Sequence, residues 1–158
     1  MPPPPIISPS SIDFSRVLFD HAYVERHNPQ RHEFSLLDAV VHLDPPTGTF
    51  AGYHDVRENQ WWGRAHIPGR PIFPGVLMIE CAAQLASFAW HEFLRIDNAF
   101  LGFAAVDEVK YRGIVEPPCR LLLVGRSDKL TPRRTVASIQ GFVGDSLVFE
   151  CKITGMPV

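Results

Sequence analysis

Cysteine is scarce in this chain of 158 residues, and the cysteines present are far apart. Cys81, Cys119 and Cys151 include no Cys-x-x-Cys pair. An odd number without metal-ligand spacing argues against a disulfide framework or a zinc site, and is typical of proteins in a reducing compartment. We therefore expect a cytoplasmic protein that needs no metal ion.

The chain also has neither a large net charge nor an apolar run long enough to cross a membrane. The net charge of −2 is unlike the basic balance of nucleic-acid-binding proteins. The N-terminus has no basic segment leading into an apolar one, so we expect no secretory signal. The apolar run from Val76 to Trp90 contains Glu80, and it is shorter than the about 20 residues that cross a bilayer. We expect no membrane span and no nucleic-acid partner.

The proline-rich start of the chain differs in composition from the rest. We predict a flexible, solvated tail over residues 1–11 and one domain over residues 12–158. Residues 12–24 have mixed helical periodicity and predict a short helix. A long helix should begin at Pro74, since proline is favoured at the first helical position, and end near Leu94.

Apolar, strand-like segments lie on both sides of the long helix. The predicted strands are Ser35–Leu43, Thr49–Val56, Ala99–Val106, Cys119–Ser127, Arg134–Val143 and Ser146–Thr154. Strands grouped before and after one helix predict an α+β fold with an antiparallel sheet of about six strands. The sheet must curl around the helix, because a flat sheet would leave the outer face of the helix in water.

Residues 66–80 contain an acid and a base. A loop of prolines and glycines starts with His66 and leads into the long helix, which carries Glu80. Apolar surroundings disfavour a charged carboxylate, so we expect a raised pKa for Glu80 and a proton-donor role. Imidazole is the side chain suited to accept a proton near neutral pH. The two groups predict a site for elimination or hydration.

The same segment resembles the active-site motif of bacterial β-hydroxyacyl-acyl-carrier-protein dehydratases. Those enzymes carry His-Phe-Pro-Gly-x-Pro-x-x-Pro-Gly-Val and a catalytic Glu, and here the His and Glu are likewise fourteen residues apart. Arg31, Phe34, Leu36 and Asp38 are similar to the family's His-Arg-x-Pro-Phe-Leu-Leu-x-Asp segment. The likeness covers about residues 30–154 and implies the hot-dog fold.

The resemblance also implies a mechanism and a set of site residues. His66 would remove the α-proton of a 3-hydroxyacyl thioester on acyl carrier protein, and Glu80 would protonate the departing hydroxyl. Gly75 and Val76 would supply backbone donors to the thioester oxygen, with Pro74 and Gln84 in support. The aromatic candidates for the wall of a substrate tunnel are Trp61, Trp62 and Phe73.

The resemblance further implies a homodimer, with a trimer of dimers as a further stage, and no cofactor. Glu80, where the sister isomerising family has Asp, favours the branch that only dehydrates. The departures are Ile67 for Phe, Ala65 for Gly, and a Pro-Pro-Cys turn at residues 117–119 for Pro-Gly-Asp. The alternatives are a hot-dog thioesterase, a hydratase of coenzyme A esters, and a non-catalytic acyl-binding protein.

Overall fold

The computed structural model describes all 158 residues. Its helices are α1 (His21–His27) and α2 (Gly75–Leu94), and two 3-10 turns lie at Pro9–Ser11 and His32–Phe34. Its strands are β1 (Ala39–Asp44), β2 (Thr49–Val56), β3 (Leu101–Tyr111), β4 (Cys119–Thr131), β5 (Arg134–Val143) and β6 (Ser146–Pro157). No helix has the length and hydropathy of a membrane-crossing segment.

The six strands form one sheet around the long helix. Their order is β1-β2-β4-β5-β6-β3, and every neighbouring pair is antiparallel. Helix α2 packs against five of the strands, most extensively against β6. The predicted α+β hot-dog architecture is confirmed, and β1 and β3 are the two edges of the sheet.

Burial of α2 explains why a single helix organises the core. Twelve of its residues are buried, and Leu85 and Phe88 have no exposed surface. The indole N–H of Trp90 donates to the Thr131 carbonyl at 2.9 Å, which fastens the end of the helix to the β4–β5 hairpin. The helix begins at Gly75, so Pro74 is its N-cap and not its first helical residue.

The short helix α1 lies further along the chain than predicted. The helix expected over residues 12–24 is wrong in its start, because α1 begins at His21. The Asp20 side chain accepts a hydrogen bond from the Tyr23 N–H at 2.9 Å and so defines the N-terminus of the helix. Just before it, Phe19 exchanges backbone hydrogen bonds of 3.1 and 2.9 Å with Val40, which requires extended backbone.

The start of the chain packs on the outer face of the sheet. Ile6, Ile7 and Ile12 lie against a second apolar cluster that includes Tyr53 on β2. The Gln140 side chain accepts from the Ile6 N–H at 2.7 Å and donates to the Pro4 carbonyl at 3.1 Å. The three isoleucines cover apolar surface that β2, β4 and β5 present outward, and the flexibility expected of residues 1–11 stays a prediction.

Candidate active site

His66 is held by the loop that precedes α2. Its N–H donates to the Trp62 carbonyl at 2.8 Å, and its own carbonyl accepts from the Ile72 N–H at 2.9 Å. The ring Nδ1 lies 2.8 Å from the Ile72 carbonyl oxygen. Because a carbonyl only accepts, Nδ1 carries the hydrogen, and Nε2 of the neutral ring is left as a proton acceptor. This contact orients the ring and leaves Nε2 able to accept a proton.

The first turn of α2 offers backbone donors. The Pro74 carbonyl accepts from the N–H groups of Leu77 at 2.9 Å and Met78 at 3.3 Å. No carbonyl accepts from the N–H groups of Gly75 and Val76, since the first amides of a helix have no acceptor within it. Both N–H groups lie at the positive end of the helix dipole, where they favour negative charge on a ligand.

Gly75 is required by a close contact with Tyr111. A Cβ atom at position 75 would lie 2.7 Å from Cε1 of the Tyr111 ring. The ring also stacks on Phe149 at 5.7 Å between centroids, so its position is fixed from the other side. Glycine therefore lets β3 approach the start of α2. The group that approaches closely at this glycine is the Tyr111 ring.

Glu80 lies one turn further along α2 and lines a cavity of about 100 Å³. Burial raises the pKa of this carboxyl above its ordinary value of 4.5, and a hydrogen bond from Gln84 opposes the shift without cancelling it. The raised pKa that the sequence predicted for Glu80 is confirmed in direction. Its cause is the apolar setting of the cavity.

Gln84 connects Glu80 to the segment that follows α1. Its Nε2 donates to Glu80 Oε1 at 2.8 Å and to the Phe34 carbonyl at 2.8 Å. Its Oε1 accepts from the N–H groups of Leu36 at 2.9 Å and Leu37 at 3.2 Å. The two backbone donors fix which end of the amide is oxygen, so the amide nitrogen must face Glu80.

Asp38 and His54 anchor the far end of the same segment. The His54 ring Nδ1 lies 2.7 Å from the Leu36 carbonyl and 3.2 Å from Asp38 Oδ2. Burial alone would raise the pKa of Asp38, but hydrogen bonds from His54 and from the Asp55 N–H outweigh it and lower the pKa. The carboxylate form of Asp38 is therefore stabilised, and its pKa shift is opposite in direction to that of Glu80.

The cavity beside Glu80 is mainly apolar and is not lined by His66. Its walls come from α2, β3 and β6, from Phe100 just before β3, and from Gln30 in the segment between α1 and β1. The lining residues are Gln30, Glu80, Ala83, Ser87, Phe100, Leu101, Gly102, Phe103, Ile153 and Gly155. A volume of about 100 Å³ is below the about 300–1,000 Å³ of a typical small-molecule site.

The aromatic candidates for the tunnel wall occupy other places. Trp62 and Phe73 are buried in the main core, with ring centroids 5.4 Å apart in an edge-to-face arrangement. Trp61 is 51 % exposed. None of the three lines the cavity that holds Glu80.

Two cavity residues were not found by reading the sequence. Gln30 lies in the segment that follows α1, and Phe103 lies in the edge strand β3, where it is 54 % exposed. No signal in the sequence pointed to Gln30. The signal for Phe103 was weak, because one aromatic residue in a strand predicts core packing equally well.

Comparison with known proteins identifies the family. A family model described as a FabA-like domain matches residues 28–152. The 3-hydroxyacyl-[acyl-carrier-protein] dehydratase FabZ of Moorella thermoacetica is 31 % identical over 122 residues, which are 77 % of this chain and 85 % of that protein. The protein of the same name from Fusobacterium nucleatum is 28 % identical over 137 residues, 87 % of this chain and 96 % of that protein.

Solved structures share the fold at lower identity. The dehydratase heterocomplex ApeI:P from Xenorhabdus doucetiae superposes with a TM-score of 0.70 at 15 % identity, covering 85 % of this chain and 90 % of that chain. A mutant of the thioesterase PA1618 from Pseudomonas aeruginosa has a TM-score of 0.57 at 18 % identity, covering 76 % of this chain and 81 % of that chain. These two likenesses concern the fold alone.

Proposed function

The chain belongs to the family of FabA-like domains, and from this premise we propose that it dehydrates 3-hydroxyacyl thioesters carried on acyl carrier protein. The products are trans-2-enoyl thioesters of fatty-acid or related acyl-chain biosynthesis. One observation carries the proposal. This chain aligns with proteins named as such dehydratases over most of their length, and it has both reactive groups, His66 and Glu80.

Glu80 is the general acid in this reaction. Since its Oε1 accepts from Gln84, the acidic proton resides on Oε2. Burial keeps the pKa of the carboxyl raised, so the protonated form persists to higher pH than for an exposed glutamate. The proton passes to the 3-hydroxyl oxygen as the C–O bond breaks, and water leaves.

His66 is the general base. Its Nε2 takes the α-proton, and the electron pair of the C–H bond becomes the new C=C bond. The thioester oxygen gains negative charge in the transition state. The N–H groups of Gly75 and Val76 stabilise that charge, and the dipole of α2 adds to their effect.

The acid and the base meet across a homodimer. In support, the cavity beside Glu80 is small and not lined by His66. The edge strand β3 leaves Phe103 and Tyr111 about half exposed, at 54 % and 50 %, and an open edge with apolar side chains favours pairing with a second copy. His66 of one protomer then faces Glu80 of the partner subunit, and three such dimers can assemble into a hexamer.

Light scattering tests the assembly. A dimer or larger assembly at micromolar concentration agrees with the proposal, and an active monomer contradicts it. A cytoplasmic location is part of the same proposal, and the three widely spaced cysteines, which suit a reducing compartment, support it.

Mass spectrometry of products tests the reaction. A panel of 3-hydroxyacyl thioesters of different chain lengths is offered on acyl carrier protein and on coenzyme A. Loss of one water to give a trans-2-enoyl thioester, faster on the carrier protein, is the expected result. Glu80→Gln serves as the control for turnover that does not depend on the site.

Other outcomes point to the alternative functions. Release of a free acid would indicate a thioesterase, and faster turnover of coenzyme A esters would indicate a hydratase of that class. Binding without turnover would indicate an acyl-binding protein. A cis-3-enoyl product would show that the chain also isomerises the double bond, contrary to the branch proposed here.

A further inference from the structure

The side of the sheet that faces away from α2 is apolar in four strands. Successive residues of a strand point to opposite faces, and in β4 Leu121 and Leu123 lie in the main core, whereas Leu122 and Val124 belong to a second apolar cluster. An antiparallel sheet with one face on a core usually has polar residues on the other. We call this second surface the outer apolar face, and it consists of Ala39 and Val41 of β1, Ala51 and Tyr53 of β2, Leu122 and Val124 of β4, and Phe142 of β5.

The start of the chain covers the outer apolar face. Residues 4–14, here called the N-terminal strap, place Ile6, Ile7 and Ile12 against it, and the Phe14 ring meets the Tyr53 ring edge-on with 5.7 Å between centroids. The residues of the face are at most 9 % exposed, whereas no residue of the strap is buried. The strap is therefore a cover one layer thick.

The strap is held by side chains and is not a strand of the sheet. No backbone-to-backbone hydrogen bond joins residues 1–17 to a strand. The Gln140 amide accepts from the Ile6 N–H at 2.7 Å and donates to the Pro4 carbonyl at 3.1 Å. A side chain that binds two backbone groups of an extended segment, beside pockets for its apolar side chains, is a mode of peptide recognition. Such binding can be undone without breaking the sheet.

Packing between the strap and the sheet is incomplete. A cavity of about 320 Å³ is lined by Ile6 on the strap and by Arg126 on β4. A second cavity of about 320 Å³ is lined by Ile12 on the strap and by Arg120 on β4. Protein interiors have few voids larger than a water molecule. A segment with loose packing and few hydrogen bonds opens at a lower free energy than the core of the same protein.

Charged side chains on the outer side of the sheet are paired. Arg120 donates to the Asp55 carboxylate at 2.7 and 3.0 Å. Arg126 forms an ion pair of 3.3 Å with Asp128. The surroundings of the outer apolar face therefore carry both signs of charge, and two copies of it can meet without strong repulsion. Because every copy of the chain has the same face, a two-fold axis can bring two of them together.

We propose that the N-terminal strap is a reversible cover, and that the outer apolar face, once uncovered, binds the outer apolar face of a second copy of this chain. Two sheets that pack face to face lie about 10 Å apart and exclude water from their apolar sides. The strap and the second copy compete for one surface, so the strap limits the size of the assembly. The surface lies on the side of the sheet away from α2, and the inference does not rest on the proposed function.

The test detaches the strap in the full-length protein. Aspartates in the double variant Ile6→Asp, Ile7→Asp cannot remain on an apolar surface without losing their hydration, so the strap should leave the face. Light scattering should then give about twice the mass of the parent assembly at the same concentration. The matched control is Ser10→Asp with Val17→Asp, which adds the same charge to the same part of the chain outside the apolar cluster. Its mass should equal that of the parent.

A synthetic peptide of residues 2–15 identifies the surface that associates. Added in excess to the double variant, the peptide should occupy the face and return the mass to that of the parent, because it competes with the second copy. The same peptide with both aspartates should have no effect. A double variant with the mass of the parent overturns the inference. A larger mass that the unmodified peptide does not reverse also overturns it, since the chains then associate through another surface or after unfolding.

Discussion

Gln84 Nε2 donates a hydrogen bond of 2.8 Å to Glu80 Oε1 from one turn further along α2. The oxygen of the same amide accepts from two backbone N–H groups, those of Leu36 and Leu37. One buried side chain therefore joins the proposed acid to the segment that leads into β1. The direction of the amide decides which carboxyl oxygen can hold the proton, and we therefore propose Gln84 as a positioning residue for Glu80.

Gln84→Met should lower both stability and turnover. The variant leaves the N–H groups of Leu36 and Leu37 buried without an acceptor, which we expect to reduce the free energy of unfolding by about 1–3 kcal/mol. It also frees Glu80 to rotate, and kcat should fall at least about 10-fold while KM changes little. Urea titration and steady-state dehydration kinetics measure the two effects.

Gln140→Met is the matched control for this variant. Gln140 is as deeply buried, 5 % exposed against 2 % for Gln84, but its hydrogen bonds go to Pro4 and Ile6 on the outer face of the sheet. It should lose stability without losing kcat. A Gln84→Met protein that is destabilised but as active as the parent would show that the contact with Glu80 has no catalytic role.

His66→Ala and Glu80→Gln should each lower kcat for dehydration by about 10²-fold or more, the usual scale for a general base or acid. Glu80→Gln keeps the size of the side chain and an oxygen for Gln84, so its fold should persist. The double variant should be scarcely worse than the poorer single variant, because groups that act together are not additive. A Glu80→Gln protein with turnover within a few-fold of the parent would remove Glu80 from the mechanism.

The elements that carry the strongest patterns were predictable from the sequence. Strands β2 and β5 have the predicted bounds, and α2 differs by one residue at its start. The apolar pattern along each of these segments and the turn residues at its ends are local in the sequence, and they determine where the element begins and ends. The start of α1 was not predictable in the same way, because the extended backbone of Phe19 depends on pairing with Val40, which is distant in the sequence.

The candidate site was predictable as a motif and not as a cavity. His66 and Glu80 were predicted from their chemistry and from the resemblance of residues 66–80 to a family motif, whereas Gln30 and Phe103 reach the cavity through tertiary packing of separate segments. The N-terminal isoleucines illustrate the same limit. Proline-rich composition does not indicate that Ile6 lies against the outer face of the sheet, because that apolar face exists only after β2, β4 and β5 have paired.

The stability of the protein should depend on pH through Glu80. Its pKa in the folded state is raised above 4.5 by burial, so the folded state favours the protonated form. The stabilisation from this group is fully present below pH 4.5 and is lost as pH rises through the folded pKa. Glu80→Gln has no carboxyl to ionise at this position. The melting temperature of the variant minus that of the parent should therefore rise from about pH 4.5 upward and become constant above the folded pKa of Glu80.

Asp38→Asn should give the opposite sign. Although burial opposes it, hydrogen bonds to the carboxylate lower the folded pKa of Asp38 below 3.8, so its stabilisation is present above that pH and lost in acid. The variant should be less stable than the parent at neutral pH and approach it as pH falls. Melting temperatures of Glu80→Gln and Asp38→Asn, each compared with the parent from about pH 3 to about pH 8, check both predictions. If the difference in melting temperature between Glu80→Gln and the parent does not vary with pH, the raised pKa of Glu80 is contradicted.

Gly75→Ala should disturb the start of α2 by pushing on Tyr111. A Cβ atom would come within 2.7 Å of the ring, so either the ring or the first turn must shift, and the Gly75 and Val76 N–H groups shift with the turn. We expect a fall of at least about 10-fold in kcat/KM. Tyr111→Ala in the same chain should recover much of this loss, with a coupling energy of about 0.5–3 kcal/mol. Additive losses would show that the contact does not transmit the effect.

Mixing two inactive variants decides whether the acid and the base come from different protomers. If His66 of one protomer faces Glu80 of the partner subunit, a dimer of one His66→Ala chain and one Glu80→Gln chain has one site with both groups and one with neither. Random exchange at equal amounts puts half of the dimers in this mixed form, so activity should recover to about a quarter of the parent level. If each site takes both groups from one chain, every site in the mixture lacks one group and no activity returns. Separate preparations, refolded alone and then assayed together before exchange, control for contamination by active protein, because they must stay inactive until subunits exchange.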